Sequence, residues 1–179
     1  MFGGTFPSWW WFYPPLRKTE VSPAAGTRTD RGLGFPPVST VKKAWDLVDE
    51  AKKEIENLSA EQVKAELDAG TATVVDIRDF RELYLRGKVP GSFHADRGML
   101  EFWIDPQSEY YRDVFKPEQR YILYCAGGGR SALAAKAMKD MGYPNVAHLE
   151  SGFGGWASAG LPVEDCKEGS KWVLRSDVS

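Results

Sequence analysis

Cysteine and histidine are scarce in this chain of 179 residues, which contains two of each. The two cysteines, Cys125 and Cys166, are too few for a disulfide framework, and no Cys-x-x-Cys pair indicates a zinc site. His94 and His148 lie far apart in the sequence, so we predict no metal site. Scarce cysteine without a pairing pattern is typical of a reducing compartment, and we expect a cytoplasmic protein.

An excess of charge of either sign is also missing, since 23 Lys and Arg residues stand against 25 Asp and Glu residues. We therefore expect no nucleic-acid partner. Long hydrophobic runs are missing too. The cluster FPSWWWFYPPL at residues 6–16 is too short to span a bilayer, and no basic segment precedes it as in a secretory signal. Membrane contact through these aromatic side chains stays open as a lesser alternative, because Trp and Tyr favour the headgroup layer.

Composition and periodicity divide the chain into four segments. Residues 1–38 carry six of the eleven prolines and show no periodicity, which predicts a disordered tail. Within residues 39–58 the apolar side chains recur on one helix face, which predicts an amphipathic surface helix with Trp45 packed on the main domain. Residues 59–164 form the main domain, and residues 165–179 a polar C-terminal tail.

Strand and helix patterns alternate along residues 59–164. A capping box at Ser59-Ala60-Glu61-Gln62 opens a helix that Gly70 closes, and a β-branched run then predicts a buried strand. Such alternation indicates βαβ units, hence an α/β fold with a mainly parallel sheet and helices on both faces. The predicted strands are 73–77, 92–95, 121–124 and 145–149, and the further predicted helices lie within 79–86, 97–105, 106–115, 131–141 and 152–159.

The segment YILYCAGGGRSALAAKAMKDM is the most informative part of the chain. Its apolar run 121–124 predicts a strand that delivers Cys125 to a loop, and the helix formers from Ser131 onward predict a helix after that loop. Active sites of parallel sheets lie at the carboxyl ends of the strands, where Cys125 falls. Three glycines, residues 127–129, let the backbone take positive φ angles and turn its amides inward, and Arg130 adds a full charge. We therefore predict an activated thiolate nucleophile in an anion-binding loop.

Four motifs, taken together and in order, resemble the single-domain rhodanese (thiosulfate sulfurtransferase-like) family over the segment from Ser59 to Glu164. Residues 76–82 resemble the family's Asp-x-Arg-x-x-x-Glu signature. Residues 87–94 are similar to its Gly-His-Ile-Pro-Gly-Ala turn and strand. Residues 124–131 resemble its active loop, and residues 142–156 its closing pattern of Gly-Tyr, Val, Leu, Gly and Trp, although Ser151 stands where many relatives have glycine.

The resemblance implies a three-layer α/β sandwich around a five-stranded sheet. It also implies that Cys125 takes a sulfane sulfur from a donor such as thiosulfate, becomes a persulfide, and passes the sulfur to cyanide or another thiophilic acceptor. The amides of the loop would hold the persulfide and the donor, and Arg130 would attract thiosulfate and sulfite. The substrate-binding residues are then Ala126, Gly127, Gly128, Gly129, Arg130 and Ser131, and the residues that hold neighbouring loops are Asp76, Arg78 and Glu82. His94 is interpreted as a hydrogen-bonded strand residue.

Two other functions stay open. A cysteine phosphatase or arsenate reductase also places a thiolate in a loop closed by Arg, but those loops resemble Cys-x5-Arg, whereas Cys125 and Arg130 form Cys-x4-Arg. The second alternative is a sulfur-relay or regulatory module, loaded by a partner protein that docks on the helix of Trp45 or on residues 99–103. Cys166 could also resolve the persulfide by forming a disulfide.

A dinucleotide-binding fingerprint is present only formally. Residues 152–157 fit G-x-G-x-x-A, but the 22 residues that follow are too few for the remaining βαβ unit. We therefore predict no bound cofactor.

Overall fold

The computed structural model describes residues 41–167. The predicted N-terminal tail, residues 1–38, lies outside the described residues, as does most of the predicted C-terminal tail, residues 165–179. Within residues 41–167 no helix is both long and apolar enough to cross a bilayer.

A parallel sheet of five strands forms the centre of the domain. Its order is β1-β5-β4-β2-β3, and every neighbouring pair is parallel. The α/β class and the five-stranded sheet were therefore predicted correctly. The strands are β1 (Glu56–Leu58), β2 (Thr73–Asp76), β3 (Phe93–His94), β4 (Tyr121–Tyr124) and β5 (Val146–Leu149).

Helices cover both faces of the sheet. Along β4, Tyr121 and Leu123 face one hydrophobic cluster, whereas Ile122 and Tyr124 face the other. A strand buried on both faces is a continuous apolar run rather than an alternating one, as the sequence YILY is. The first cluster includes residues of α1, α4 and α5, and the second includes residues of α2 and α6. The helices are α1 (Ala44–Glu54), α2 (Ala60–Asp68), α3 (Phe80–Arg86), α4 (Leu100–Ile104), α5 (Gly129–Asp140) and α6 (Gly152–Ser158), with a 3-10 turn at Arg97–Met99 before α4.

The helix predicted within residues 39–58 is shorter than the sequence pattern indicates. It ends at Glu54, Ile55 is extended, and residues 56–58 form the edge strand β1 beside β5. Asn57 contributes to this ending, because its side-chain amide donates to the main-chain oxygens of Lys52 and Ile55. Those carbonyls would otherwise lack partners at the end of the helix. The helical assignment of residues 55–58 was therefore wrong.

The segment 97–115 also differs from its prediction. Residues 97–104 are helical, but the second predicted helix, after Pro106, is absent and the chain there forms turns. A hydrogen bond from the amide of Arg112 to the main-chain oxygen of Trp103 holds this stretch, and Phe115 is buried in the first cluster. The capping box at Ser59 and Gln62 was predicted correctly, since both of its reciprocal hydrogen bonds are present.

A buried ion pair joins the end of β2 to the turn after α3. Arg78 and Asp76 are both fully buried, and Nη2 of Arg78 lies 2.6 Å from Oδ2 of Asp76. The same nitrogen donates to the main-chain oxygen of Gly87 at 2.8 Å, and the guanidinium lies 4.1 Å from the centre of the Phe153 ring. Two of the residues assigned to holding neighbouring loops therefore form a buried contact between β2, the turn at Gly87 and α6.

We expect Arg78→Met to lower the free energy of unfolding by about 3 to 5 kcal/mol, because it leaves the Asp76 carboxylate buried without its partner. Urea denaturation measures this loss. Lys42→Met is the matched control, since it removes an exposed ion pair with Glu50 and should change stability by less than about 1 kcal/mol. Losses of similar size in the two variants would contradict the prediction.

Candidate active site

Cys125 directly follows the last residue of β4, and its side chain is buried. The residues after it are fixed by α6, whose first turn donates two hydrogen bonds to the loop. The amide of Phe153 donates to the oxygen of Cys125 at 2.7 Å, and the amide of Gly154 to the oxygen of Ala126 at 2.9 Å. Since the C=O and N–H groups of a trans peptide point in opposite directions, the amides of Ala126 and Gly127 point away from α6.

The loop amides have no acceptor among the described residues. The amides of residues 126–129 donate no hydrogen bond to any group within residues 41–167, and α5 begins directly after Gly128 with its own first-turn amides. Unpaired N–H groups at the start of a helix attract anions, through hydrogen bonding and through the helix dipole. The loop therefore has the donors that an anionic ligand or a sulfur anion next to Cys125 requires.

Only one of the three loop glycines has a left-handed backbone. Gly128 has φ +89°, and a Cβ atom there would lie 2.0 Å from the main-chain oxygen of Glu150. Gly129 has an ordinary φ, but its Cβ would lie 3.2 Å from the indole of Trp45. Gly127 has an ordinary φ and open space around it. The expectation that the whole glycine run takes positive φ angles is therefore correct for Gly128 alone.

Arg130 lies between a carboxylate and the cysteine. Its guanidinium forms two hydrogen bonds with Glu82, at 2.7 and 3.1 Å, and these bonds lower the pKa of the Glu82 carboxyl. The pKa of Arg130 is raised, first by Glu82 and in smaller part by Cys125 nearby. Asp79 caps the start of α3, whereas Glu82 in the first turn of the same helix reaches Arg130.

A pocket of about 370 Å³ opens above the cysteine. Cys125 and Arg130 lie in its wall, and helix α1 supplies Trp45 and Val48. The Trp45 side chain is 67% exposed, so it packs against the domain with only part of its surface and presents the remainder to solvent. The further lining residues are Ala44, Gly127, Gly129 and Leu133, so the walls are mainly apolar.

Behind the cysteine lies a buried polar group that the sequence interpretation missed. Oγ of Ser131 lies 3.6 Å from Sγ of Cys125 and 3.2 Å from Nδ1 of His148. Nε2 of His148 lies 2.8 Å from Oδ1 of Asn57 on β1. Burial lowers the pKa of His148 to about 4, and the positive charge of Lys52 contributes to this lowering. The signal was a histidine within the otherwise apolar strand VAHL.

The remaining candidate residues lie away from this group. His94 is a strand residue, and its Nε2 is hydrogen-bonded to the main-chain oxygen of Arg78 at 2.8 Å. Cys125 and Cys166 are both free thiols, and Sγ of Cys166 is near the main-chain oxygen of Glu164. Among residues 41–167 no cluster of His, Cys, Asp or Glu is arranged to hold a metal ion.

The model of the Rhodanese-like domain family matches residues 59–159. The chain belongs to the rhodanese-like family. Among similar proteins, Thiosulfate sulfurtransferase GlpE of Actinobacillus succinogenes is 28% identical over 126 residues, which are 70% of this chain and 87% of the relative.

Two solved structures are also similar to this chain. A protein of unknown function from Rhodopseudomonas palustris, described as a possible tyrosine phosphatase, is 49% identical with a TM-score of 0.68, over 73% of this chain and 100% of that chain. A thiosulfate sulfurtransferase from Pseudomonas aeruginosa is 32% identical with a TM-score of 0.55, over 68% of this chain and 22% of that chain. The matched family segment, residues 59–159, begins after α1 and β1, so both of these elements lie outside it.

We expect Gly128→Ala to destabilise the rhodanese-like domain more than Gly142→Ala does. Both glycines have positive φ, and an alanine there costs about 1–2 kcal/mol from the backbone alone. At Gly142 the new methyl group meets open space, whereas at Gly128 it meets the oxygen of Glu150, which should add about 1–3 kcal/mol. Urea denaturation of both variants measures the difference, and equal losses would show that the contact with Glu150 is unimportant.

Proposed function

We propose that this protein is a sulfurtransferase that carries sulfane sulfur from thiosulfate or a similar donor to a thiophilic acceptor, as a persulfide on Cys125. The observation that carries the proposal is the position of Cys125, buried at the end of β4 in a rhodanese-like domain and followed by amides that find no acceptor within residues 41–167. The named sulfurtransferases among the relatives support the same reaction. Scarce cysteine supports a cytoplasmic location.

In the first half-reaction the thiolate of Cys125 attacks the outer sulfur of the donor. A sulfur–sulfur bond forms to Sγ, the bond between the donor's two sulfur atoms breaks, and sulfite leaves with the electron pair when the donor is thiosulfate. Arg130 is next to Cys125 and offers a positive charge to the donor and to the leaving sulfite. Its ion pair with Glu82 fixes the direction of the guanidinium.

In the second half-reaction the acceptor attacks the outer sulfur of the persulfide, and Cys125 leaves as a thiolate. Between the two steps the loop amides hold the persulfide sulfur, which is an anion of the size that such a loop accommodates. We assign this holding role to residues 126–131. Asp76 and Arg78 support the loop indirectly, through the packing of Arg78 against the ring of Phe153 on α6.

The pocket supports donors larger than thiosulfate. Its 370 Å³ would hold roughly a dozen water molecules at about 30 Å³ each, whereas thiosulfate has only a few heavy atoms. Apolar walls such as Trp45 and Val48 suit an organic group, and Arg130 suits the anionic end of the same molecule. We therefore infer that the donors include organic thiosulfonates or persulfides with an apolar group, delivered as small molecules rather than by a partner protein.

A phosphatase activity has less support. One relative is described as a possible tyrosine phosphatase. In this chain, however, Arg130 is the fifth residue after Cys125, which leaves one residue fewer than the Cys-x5-Arg loops of cysteine phosphatases. The shorter loop favours a ligand smaller than a phosphoryl group next to Cys125.

We expect incubation with thiosulfate to increase the mass of the protein by one sulfur, about 32 Da, and cyanide to remove it with formation of thiocyanate. Cys125→Ser should not gain the mass, whereas Cys166→Ser should gain it. Intact-protein mass spectrometry provides the measurement. No mass gain from any sulfane donor, together with appreciable hydrolysis of an aryl phosphate, would support the phosphatase instead. Loading only in the presence of a partner protein would support the sulfur-relay module.

We expect Trp45→Ala to lower kcat/KM for benzenethiosulfonate by about tenfold and to change kcat/KM for thiosulfate by less than about threefold, because only the larger donor reaches the indole. Steady-state thiocyanate production measures both values. Phe102→Ala is the matched control, since Phe102 is an exposed aromatic residue on α4 that does not line the pocket. Equal losses for the two donors would indicate that Trp45 has only a structural role.

A further inference from the structure

Four side chains form a continuous polar chain from the sulfur atom into the domain. It runs from Sγ of Cys125 to Oγ of Ser131 (3.6 Å), on to Nδ1 of His148 (3.2 Å), and from Nε2 of His148 to Oδ1 of Asn57 (2.8 Å). Cys125, Ser131 and His148 are all buried. Buried polar groups must find their hydrogen-bond partners within the protein, and this requirement determines which atoms of the chain carry the hydrogens.

Asn57 determines which nitrogen of His148 carries the proton. The Nδ2 amide group of Asn57 donates to the main-chain oxygens of Lys52, at 2.9 Å, and Ile55, at 3.1 Å. Its Oδ1 atom is therefore an acceptor, and Nε2 of His148 must be the donor in the bond between them. In the neutral imidazole, Nδ1 is then without a proton, and it faces the Ser131 hydroxyl.

The chain has a complete set of hydrogen bonds in two protonation states. With Cys125 as a thiol, S–H donates to Oγ of Ser131, and the Ser131 hydroxyl donates to Nδ1 of His148. With Cys125 as a thiolate, Nδ1–H donates to Oγ and the hydroxyl donates to the sulfur. The main-chain oxygen of Gly128 lies 3.0 Å from the Ser131 hydroxyl, but it does not need a hydrogen bond from that hydroxyl, because the amide of Ala132 already donates to it. Changing between the two states moves protons and no heavy atoms.

We propose that His148 accepts the thiol proton of Cys125 through the Ser131 hydroxyl. The S–H bond breaks and its electron pair stays on sulfur, the proton goes to Oγ of Ser131, and the Ser131 proton goes to Nδ1 of His148. When the persulfide has passed its outer sulfur to the acceptor, the same two transfers in reverse return a proton to the Cys125 thiolate. Ser131 touches the reacting sulfur, whereas His148 acts through Ser131 and is a positioning residue.

The charges around His148 keep it neutral at rest. The charged groups that act on it are Lys52 on α1 and Glu150 after β5, which form an ion pair at 3.2 Å, and Cys125 lies on the far side of Ser131. Burial lowers the pKa of His148 to about 4 and Lys52 opposes its protonation, whereas Glu150 and the main-chain oxygen of Gly128 favour it. While Cys125 is a thiol, this lowered pKa leaves Nδ1 available as an acceptor near neutral pH, and a negative sulfur stabilises the imidazolium once it forms.

The pH profile of Cys125 alkylation tests the proposal. Neutral iodoacetamide is reacted with the full chain carrying Cys166→Ser, from about pH 4 to pH 9, and with the same protein carrying His148→Gln. We expect the alkylation rate of the parent to level off below neutral pH and to fall only near pH 4, where His148 becomes protonated. In His148→Gln the rate should continue to fall tenfold per pH unit, which makes it at least about tenfold slower at pH 5. The two rates should converge at high pH, where solvent removes the thiol proton.

Three further variants separate proton transfer from structural support. His94→Gln changes the other histidine of the chain and should keep the parent profile. Ser131→Ala should give the profile of His148→Gln, and Ser131→Thr, which keeps a hydroxyl, should restore the level region. The two Ser131 variants test the proton path even if His148→Gln does not fold. Identical profiles in Ser131→Ala and the parent, or a loss by the same factor at every pH, would overturn the proposal.

The part played by this proton step in sulfur transfer rests on the proposed function, but the alkylation experiment needs no sulfur donor. A level region that disappears in His148→Gln, together with no sulfur loading from any donor, would leave the proton path standing and refute the sulfurtransferase. Sulfur loading with an unchanged alkylation profile in His148→Gln would refute the proton path and leave the sulfurtransferase standing.

Discussion

Two hydrogen bonds from the first turn of α6 determine what the cysteine loop can do. The carbonyl oxygens of Cys125 and Ala126 accept these hydrogen bonds. The N–H groups of the same two peptide units point in the opposite direction and remain available to a ligand. The contact requires Gly152, because a Cβ atom there would lie 2.7 Å from the oxygens of both loop residues. The Ser151 side chain fits beside this turn because Gly155 leaves room for it. The direction of the loop amides therefore depends on a neighbouring helix, α6.

The segment before residue 59 contributes residues on two sides of Cys125. Helix α1 adds an apolar wall through Trp45 and Val48 on the solvent side of Cys125. Strand β1 adds Asn57 on the interior side, where it determines the tautomer of His148. In the proposed mechanism the two sides act on different properties of the same sulfur atom: the outer wall selects the molecules that reach it, and the inner chain accepts its proton. Both come from elements outside the segment that the family model matches.

The parts that the sequence predicted are those that local patterns determine. The short apolar run before Cys125 indicated β4, and the capping box at Ser59 indicated α2, because each depends on neighbouring residues. Strand β1 was not predictable in this way, since Ile55 and Leu58 continue the helical spacing of α1, and only pairing with the distant β5 makes residues 56–58 a strand. His148 was missed for the same reason. Its partners, Ser131 and Asn57, lie 17 and 91 positions away in the sequence, and a pattern of neighbouring residues does not reveal contacts between such separated positions.

The location of β1 at the edge of the sheet has a practical consequence for dissecting this protein. A fragment trimmed to residues 59–159 would retain Cys125, Arg130 and Glu82, yet it would lack the edge strand, one wall of the pocket and the Asn57 side chain that orients the imidazole of His148. Such a fragment would also leave one edge of β5 without its pairing partner, and an unpaired parallel edge invites association with other chains. Boundaries drawn from the family model alone would therefore omit groups on both sides of Cys125.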